Sequence, residues 1–196
     1  MSENTFVTHL KNMDFAWLAL IAFLLLVLVM LFFVFSYFLT LFYDAPFVPL
    51  HKKDIQFLQK KLVVRAGEHI YDLGSGDGRV LCALVSGDKI FGMGIERSFL
   101  LRVISRRRAK ACSISEKNLV FRSGNFYKHK ISDADHVVCY LFPKAMEKLA
   151  TKFDQELKHG TMIYSFSFSI PEWEPIETCL VDGPGSKRLY IYRKEP

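Results

Sequence analysis

The residues best suited to hold a ligand lie in segment 70–79, which reads Ile-Tyr-Asp-Leu-Gly-Ser-Gly-Asp-Gly-Arg. Gly74, Gly76 and Gly78 alternate over five positions, and Asp72 stands two residues before the first of them. Glycine permits positive φ and close approach of the backbone to a ligand, and a following helix directs its free N–H groups toward that ligand. The segment therefore predicts a strand, a ligand-binding turn and a helix start.

The spacing of these glycines narrows the class of ligand. A dinucleotide-binding turn needs G-x-G-x-x-G, whereas residues 74–78 read G-x-G-x-G. A second apolar run, residues 89–96, ends in Glu96, whose carboxylate could accept hydrogen bonds from both hydroxyls of a ribose. The pattern favours an adenosine-bearing ligand other than NAD. A glycine-rich turn that binds no ligand is the alternative.

The pattern Asp72-x-Gly74-x-Gly76, followed by Glu96, resembles the S-adenosylmethionine site of class I (seven-strand) methyltransferases. The resemblance implies that the glycine turn holds the amino-acid end of this cofactor and that Glu96 holds its ribose. It also implies an α/β fold with a Rossmann-like, mostly parallel sheet. Six residues of these two segments are predicted to bind S-adenosylmethionine: Asp72, Gly74, Ser75, Gly76, Gly78 and Glu96.

The elements that would position these residues alternate along the chain. Apolar periodicity predicts helices at 51–62, 78–86, 97–111 and 143–157, and strands at 69–73, 89–95, 118–122, 135–141 and 161–168. Near-continuous apolar strands favour a parallel sheet that is covered on both faces. Segments 176–181 and 188–192, joined by a Gly-Pro-Gly turn, predict a C-terminal antiparallel hairpin. Residues 170–175 are too few for the helix that class I methyltransferases place there.

The N-terminal part of the chain is dominated by apolar residues. Residues 15–43 carry no charge, and 18–35 form an unbroken apolar run of the length that a membrane helix needs. A cleaved signal peptide has a shorter apolar core that ends in a small-x-small site, and this segment has neither feature. We therefore predict a transmembrane helix at 15–43 after a tail at 1–14. A proline-containing connector at 44–50 leads to the methyltransferase domain at 51–196.

Basic residues lie mainly after the apolar segment. Of 26 Lys and Arg, only Lys11 precedes residue 51, and three of the 20 Asp and Glu do, so residues 51–196 carry 25 basic and 17 acidic side chains. Positive loops stay on the cytoplasmic side, which predicts a domain that faces the cytoplasm or an organelle matrix. The basic cluster at 102–110 lacks interleaved aromatic residues and is interpreted as a solvated or membrane-facing surface. Nucleic acid is not expected as a partner.

The cysteines and histidines predict neither a disulfide framework nor a metal site. Cys82, Cys112, Cys139 and Cys179 are widely spaced and are interpreted as reduced core residues. No cysteine or histidine stands at the spacing of zinc ligands, so no metal is expected.

The order of features also resembles a narrower family, the membrane-anchored protein-lysine methyltransferases. Members in mitochondria modify the adenine nucleotide translocase or the ATP synthase c-subunit, and many relatives are bacterial. The resemblance rests on the apolar span and on residues 45–49, 72–79, 94–96 and 165–175. It implies a bacterial member that methylates a lysine of a membrane protein. The bacterial inner membrane is the expected location, with the mitochondrial inner membrane as the alternative.

Four further site residues follow from this resemblance. Asn125 and Phe126 match the position where related enzymes place an acidic residue and a Phe against the adenine. The Asn125 amide departs from that pattern but can accept and donate hydrogen bonds, and a simple turn is the alternative. Tyr140 and Phe142 follow the fourth strand, where open α/β sheets bind ligands, and are expected to line the acceptor pocket. Packing of both rings beneath a helix is the alternative.

The predicted reaction is methyl transfer from S-adenosylmethionine to the ε-amine of a lysine, with no general base assigned. Methylation of a lipid or quinone by the tethered site is one alternative. A non-catalytic membrane-tethered adaptor that keeps the methyltransferase fold is another. The oligomeric state is not predicted.

Overall fold

The computed structural model describes residues 3–42, 48–85, 89–181 and 186–196. Within the first helix, it describes the side chains of Phe15 and of residues 17–35. The chain divides into two compact units, residues 1–46 and residues 47–196.

The first unit consists of one helix, α1 (Glu3–Phe42). The helix begins within segment 1–14, which was predicted as a tail, because that segment has no glycine or proline to stop a helix. Its part Trp17–Phe35 is long and apolar enough to cross a membrane, and none of it is buried. Most of the predicted connector, residues 44–47, lies outside the described residues.

The second unit contains a seven-stranded sheet with the strand order β3-β2-β1-β4-β5-β7-β6. The strands are β1 (His69–Leu73), β2 (Phe91–Glu96), β3 (Leu119–Ser123), β4 (His136–Cys139), β5 (Met162–Phe166), β6 (Glu177–Val181) and β7 (Lys187–Arg193). The first five strands are parallel, and β7 pairs antiparallel with both β5 and β6. This arrangement confirms the predicted α/β fold with a C-terminal hairpin. The hairpin turn, residues 182–185, lies outside the described residues.

The helices of the second unit are α2 (Lys52–Lys61), α3 (Arg79–Leu84), α4 (Phe99–Ala111) and α5 (Pro143–Glu156). Leu58 of α2 and Leu81 of α3 are fully buried and join Ile70 of the central strand β1 in one hydrophobic core. Met146 and Leu149 of α5 are also fully buried. Both strands at the centre of the sheet are almost wholly buried, as is typical of a parallel sheet between helices.

Segment 170–175 connects β5 to β6 without forming a helix, as its length predicted. Its Trp173 ring packs edge to face against Phe153 and Tyr192, with ring centroids 6.4 and 6.2 Å apart. The Ile170 N–H donates to the Tyr192 hydroxyl at 2.9 Å. Aromatic packing therefore orders this connector without a helix.

Strand β4 ends at Cys139, two residues before the predicted end. Phe142 is the N-cap of α5, and Pro143 occupies the first turn of that helix. The chain must therefore leave the sheet at Tyr140 to reach the helix start. Tyr140 and Phe142 lie in a loop at the carboxyl edge of the sheet, beyond the strand in which the sequence placed the first of them.

Candidate cofactor and acceptor site

The turn after β1 is made of glycines in the left-handed region. The φ angle is +79° at Gly74, +55° at Gly76 and +74° at Gly78. The N–H groups of Gly74 and Ser75 donate to the carbonyl of Ile95 at 2.9 and 3.2 Å, which ties the turn to the neighbouring strand β2. This conformation explains why glycine stands at alternate positions.

Two glycines also allow close packing under the turn. A Cβ at Gly78 would lie 2.6 Å from Ser105 Cβ and 2.7 Å from Phe121 Cζ. A Cβ at Gly94 in β2 would lie 2.5 Å from Phe121 Cδ1 and 2.7 Å from Ser75 Oγ. Gly78 and Gly94 therefore let α4, β3 and the glycine turn approach one another, which keeps the turn close to the sheet.

Asp72 and Ser75 carry buried polar atoms without a hydrogen-bond partner among the described residues. Each residue is 5% exposed, and the unpartnered atoms are Asp72 Oδ2 and Ser75 Oγ. Burial, together with the nearby charges of Glu96 and Asp77, raises the pKa of Asp72 to about 7. A cationic group at this position would stabilise the ionised carboxylate. The orphaned acceptor thus fits the ammonium of the amino-acid end of S-adenosylmethionine.

Glu96 is the last residue of β2 and connects that strand to the glycine turn. Its Oε2 accepts a hydrogen bond from the Gly76 N–H at 2.9 Å, and its Oε1 accepts one from the Ser98 N–H at 2.7 Å. Each carboxylate oxygen can accept a second hydrogen bond. Glu96 is therefore held in place by the backbone and keeps the capacity to accept from two ribose hydroxyls.

An ion cluster around Asp77 supports the glycine turn, and sequence reasoning missed it. The Asp77 carboxylate accepts from Arg79 Nε at 2.9 Å and from Arg108 of α4 at 2.7 Å. Burial opposes ionisation of Asp77, but the hydrogen bonds and charges of the two arginines outweigh it and hold the pKa of Asp77 below its usual value. Arg79 also donates to the Leu50 carbonyl at 3.1 Å. The cluster fixes the turn from both sides.

The basic cluster at 102–110 is solvated in part, as the sequence predicted, because Arg106, Arg107 and Lys110 are exposed. Arg102 is only 9% exposed and donates to the carbonyls of Glu96 and Arg97 at 2.9 and 2.8 Å. Arg106 donates to the carbonyl of Phe121 at 3.1 Å. With Arg108, three of the five basic residues bond to the elements of the site. These arginines donate hydrogen bonds to backbone carbonyls of β2, β3 and the glycine turn.

Asn125 and Phe126 lie in the loop that follows β3. Asn125 is exposed, and its Oδ1 accepts a hydrogen bond from the Tyr127 N–H at 3.0 Å, which forms an Asx turn. Phe126 is half-buried, with its ring 4.5 Å from that of Tyr127. The turn that the sequence left as an alternative is thus present. It leaves the amide nitrogen of Asn125 available to a ligand.

Tyr140 and Phe142 differ in their surroundings. Tyr140 is half-buried against the core, and its ring lies edge to face with Phe166 at 6.4 Å. Phe142 is 37% exposed, and its ring lies 5.8 Å from that of Phe168. Phe168, which sequence reasoning did not single out, follows β5 as Phe142 follows β4. The structure thus places an aromatic group after two neighbouring strands at the same edge as Asp72.

The four cysteines are free thiols in different environments. Cys139 is buried, and burial raises the pKa of its thiol to about 12. Cys82 and Cys179 are partly buried, whereas Cys112 is exposed at the end of α4, so the core position predicted for it was wrong. Among the described residues, no group of three or more His, Cys, Asp or Glu side chains could hold a metal ion.

Comparison with known proteins assigns this site to a family. A family model described as the ANTKMT methyltransferase domain matches residues 72–177, more than half of the 196-residue chain. The chain belongs to the ANTKMT methyltransferase family. The match begins at Asp72 and includes the glycine turn, Glu96 and the aromatic loop after β4.

Relatives of this family member are lysine methyltransferases by name. The protein-lysine N-methyltransferase of Saccharolobus islandicus is 31% identical over 154 residues, which cover 76% of this chain and 92% of the relative. The adenine nucleotide translocase lysine N-methyltransferase of Mus musculus is 29% identical, with 76% and 63% covered. The human ATP synthase c-subunit lysine N-methyltransferase is 31% identical, with 75% and 60% covered. The chain thus spans less than two thirds of both mammalian relatives.

A solved structure agrees with the cofactor. A protein described as an RNA methyltransferase from Salinibacter ruber, in complex with S-adenosyl-L-homocysteine, superimposes with a TM-score of 0.68. It is 30% identical, and the match covers 76% of this chain and 94% of that one. Together with the family match, this shows that the ANTKMT family member is an S-adenosylmethionine-dependent methyltransferase.

Proposed function

We propose that this protein transfers a methyl group from S-adenosylmethionine to the ε-amine of a lysine in a membrane protein. The observation that carries the proposal is the carboxyl edge of the sheet. There, Asp72 has a buried carboxylate oxygen without a partner among the described residues, and its strand β1 pairs with β4, which leads into the loop that holds Tyr140 and Phe142. The Asp72 oxygen can accept a hydrogen bond from a cationic group, and the loop provides aromatic side chains that can pack against an aliphatic amine.

The cofactor would be held by the residues that the glycine turn brings together. Asp72 accepts from the ammonium of the amino-acid end, and the backbone of Gly74, Ser75 and Gly76 approaches that end closely because the turn carries no bulky side chain. Glu96 accepts from the ribose hydroxyls. Asn125 and Phe126 contact the adenine. When bound, S-adenosylmethionine supplies an electrophilic methyl group on a positively charged sulfur.

The acceptor side requires a neutral amine and exclusion of water. Aromatic side chains such as Tyr140, Phe142 and Phe168 would desolvate the incoming lysine, which lowers its pKa and increases the fraction of neutral amine. They would also align the nitrogen with the methyl carbon. The lysine ammonium would lose one proton to solvent before transfer, since no side chain is assigned as general base. The neutral amine would then take the methyl group and become a methylammonium, and the cofactor would leave as the neutral thioether.

The membrane placement rests on the apolar helix and on the relatives. Segment Trp17–Phe35 could span a membrane, and the two mammalian relatives are named after the adenine nucleotide translocase and the ATP synthase c-subunit. A single span would restrict the enzyme and a membrane-protein substrate to the same plane, which raises their effective concentration. The charge balance around the helix favours a catalytic unit on the cytoplasmic side of a bacterial inner membrane.

An RNA acceptor is a second candidate, because the Salinibacter protein is described as an RNA methyltransferase. Residues 51–196 carry an excess of basic side chains that could attract a phosphate backbone. However, Arg102, Arg106 and Arg108 donate to backbone or carboxylate groups of the protein itself. This use of the arginines favours a protein acceptor over RNA.

The test is a labelling experiment on the full chain. Membranes and cytosol from the source organism lacking this gene are incubated with the protein and with S-adenosylmethionine labelled in the methyl group. The product is then separated into protein, RNA and lipid. The Asp72→Asn variant should lose transfer, whereas Asp154→Asn, an exposed acid of α5 that pairs with Lys194, should retain it.

A discrete labelled membrane protein, with methyl-lysine found by mass spectrometry, is the expected result. Label found only in RNA or only in the lipid fraction would show that the acceptor is RNA or a lipid and not a lysine. Cofactor binding without any transfer to the three fractions would favour the adaptor alternative.

A further inference from the structure

The N-terminal end of α2 is joined to the hairpin by a buried ion pair. Asp54 is fully buried, and its Oδ2 lies 2.9 Å from Nζ of Lys187, the first residue of β7. The side chain of Lys187 is only 12% exposed. The same carboxylate oxygen accepts from the His51 N–H at 3.0 Å, so Asp54 is also fixed to the start of its own helix. Burial of two opposite charges costs desolvation free energy that can cancel their attraction. A purely stabilising role therefore does not explain why this pair is buried.

The ammonium of this pair faces the aromatic loop of the candidate acceptor pocket. Lys187 Nζ lies 5.8 Å from the centroid of the Tyr140 ring, within the range of a cation–π contact. Phe166 packs against the same ring from another side at 6.4 Å. Tyr140 lies one residue beyond the end of β4, outside the paired registers of that strand. Its ring is therefore positioned by these side-chain contacts.

A similar arrangement at the opposite edge of the sheet provides a matched comparison. Lys194 pairs with Asp154 at 3.0 Å and lies 5.4 Å from the centroid of the Trp173 ring. Lys194 is anchored to the amino end of β5, because its N–H donates to the carbonyl of Thr161. Asp154 is 56% exposed, whereas Asp54 is buried. The chain thus contains the same chemical contact once beside the site and once away from it.

We propose that Asp54 and Lys187 form a positioning pair that holds the Tyr140 ring for the methyl acceptor. This inference rests on the proposed function, since it assigns to Tyr140 a role toward the acceptor amine. The buried carboxylate keeps the Lys187 ammonium at the ring, and the ammonium restricts the tilt of the ring. Through Lys187, segment 51–54 would thus support the acceptor pocket, although it precedes the glycine turn by some twenty residues.

The test compares steady-state kinetics and cofactor affinity of full-length variants. Lys187→Met should lower kcat/KM for the acceptor about tenfold and leave the Kd of S-adenosylmethionine within about twofold of the wild type. Lys187→Arg keeps the charge and the contact with the ring, and should restore most of the activity. Lys194→Met serves as the control and should leave kcat/KM unchanged. Circular dichroism checks that each variant folds, and Asp54→Asn/Lys187→Met removes both charges if the single variant does not fold.

A double-mutant cycle with Tyr140→Leu separates positioning from general destabilisation. If Lys187 acts through the Tyr140 ring, Lys187→Met should cause little further loss in the Tyr140→Leu background. Independent effects that multiply, or equal losses in Lys187→Met and Lys194→Met, would overturn the proposal. Absence of any transfer by the wild type would instead refute the proposed lysine methyltransferase function. A wild type that is active, with an equally active Lys187→Met, would refute only the positioning pair.

Discussion

Asp72 at the carboxyl edge of the sheet and two acids at the amino edge have opposite surroundings. At the amino edge, Glu68 lies 2.9 Å from Nε2 of His136, and Asp135 lies 2.6 Å from Nζ of Lys158. Burial opposes ionisation of both acids, but hydrogen bonds from the Arg65 N–H and His136 to Glu68, and from Lys158 and the His69 N–H to Asp135, lower the pKa of each. At the carboxyl edge, one oxygen of Asp72 has no hydrogen-bond partner in the described part of the chain, and burial and neighbouring acids raise its pKa to about 7.

This difference distinguishes carboxylates that stabilise the fold through ion pairs from a carboxylate that is suited to bind a cationic ligand. A paired carboxylate gains nothing from an added cation, whereas a buried carboxylate without a partner is destabilising until a cation arrives. The glycine turn, whose three glycines have positive φ and in which a Cβ at Gly78 would clash, follows Asp72 at the carboxyl edge. Asp72 therefore lowers the stability of the cofactor-free protein, whereas Glu68 and Asp135 do not.

The largest expected effect is the loss of folding stability that ionised Asp72 causes in the cofactor-free protein. Its pKa rises from 3.8 in the unfolded chain to about 7 in the folded one, so the folded state holds the proton more tightly. The free energy of unfolding should therefore fall as pH rises from 4 to 7, by up to about 4 kcal/mol from this residue. Urea unfolding at pH 5 and pH 8 should show about 3 kcal/mol of this decrease.

The Asp72→Asn variant is the matched control for this pH dependence. It should lose that part of the pH dependence and be more stable than the wild type at pH 8. Equal pH dependence of the two proteins would show that Asp72 is not a strained acid. Glu68→Gln, at the amino edge, should change stability in the other direction, since a lowered pKa stabilises the fold above pH 4.

The next effect concerns the glycines at the two edges. Gly78→Ala should destabilise the fold by about 3 kcal/mol, because its φ is positive and the new Cβ would meet Ser105 and Phe121. Gly160, before β5, also has positive φ, but nothing lies within 4 Å of the position of its Cβ. Gly160→Ala should cost about 1 kcal/mol. Thermal unfolding of both variants measures the difference, and equal losses would mean that the space under the turn is not required.

A smaller effect is expected for the ion pairs. Arg108→Ala removes the hydrogen bonds from Arg108 Nε and from its terminal nitrogen to the buried Asp77, and should cost about 2 kcal/mol. Lys158→Ala removes the partner of Asp135 at the amino edge, where the lysine side chain is 47% exposed, and should cost under about 1 kcal/mol. Denaturant titration compares the two. A larger loss for Lys158→Ala would contradict the importance given to the Asp77 cluster.

Sequence reasoning predicted those features that are encoded locally. The strand-turn-helix with Asp72 and its glycines, the position of Glu96 and the C-terminal hairpin all follow from short stretches of sequence. Contacts between distant residues could not be predicted in this way. Asp54 and Lys187 are 133 positions apart, and Arg108 meets Asp77 only because α4 packs beside the glycine turn.

The position at which β4 ends could not be predicted from the apolar pattern alone, because it also depends on Pro143. The run through Leu141 and Phe142 continues the hydrophobic character of the strand, but Pro143 starts a helix and requires the chain to leave the sheet earlier. The arginines of α4 likewise looked solvated from their composition. Only the fold shows that backbone carbonyls of β2 and β3 accept their hydrogen bonds.

The most direct test of the account is calorimetric titration of S-adenosylmethionine into the full-length protein at pH 6 and pH 8, in two buffers that differ in ionisation enthalpy. Since Asp72 is largely protonated at pH 6, binding of a cation at its carboxylate should release close to one proton there. At pH 8, where Asp72 is ionised and about half of the cofactor's α-amino groups are neutral, binding of the ammonium should instead take up a fraction of a proton. The Asp72→Asn variant should show weak binding without proton release. Tight binding with no proton release at pH 6, or unchanged affinity in Asp72→Asn, would contradict the assignment of this edge as the cofactor site.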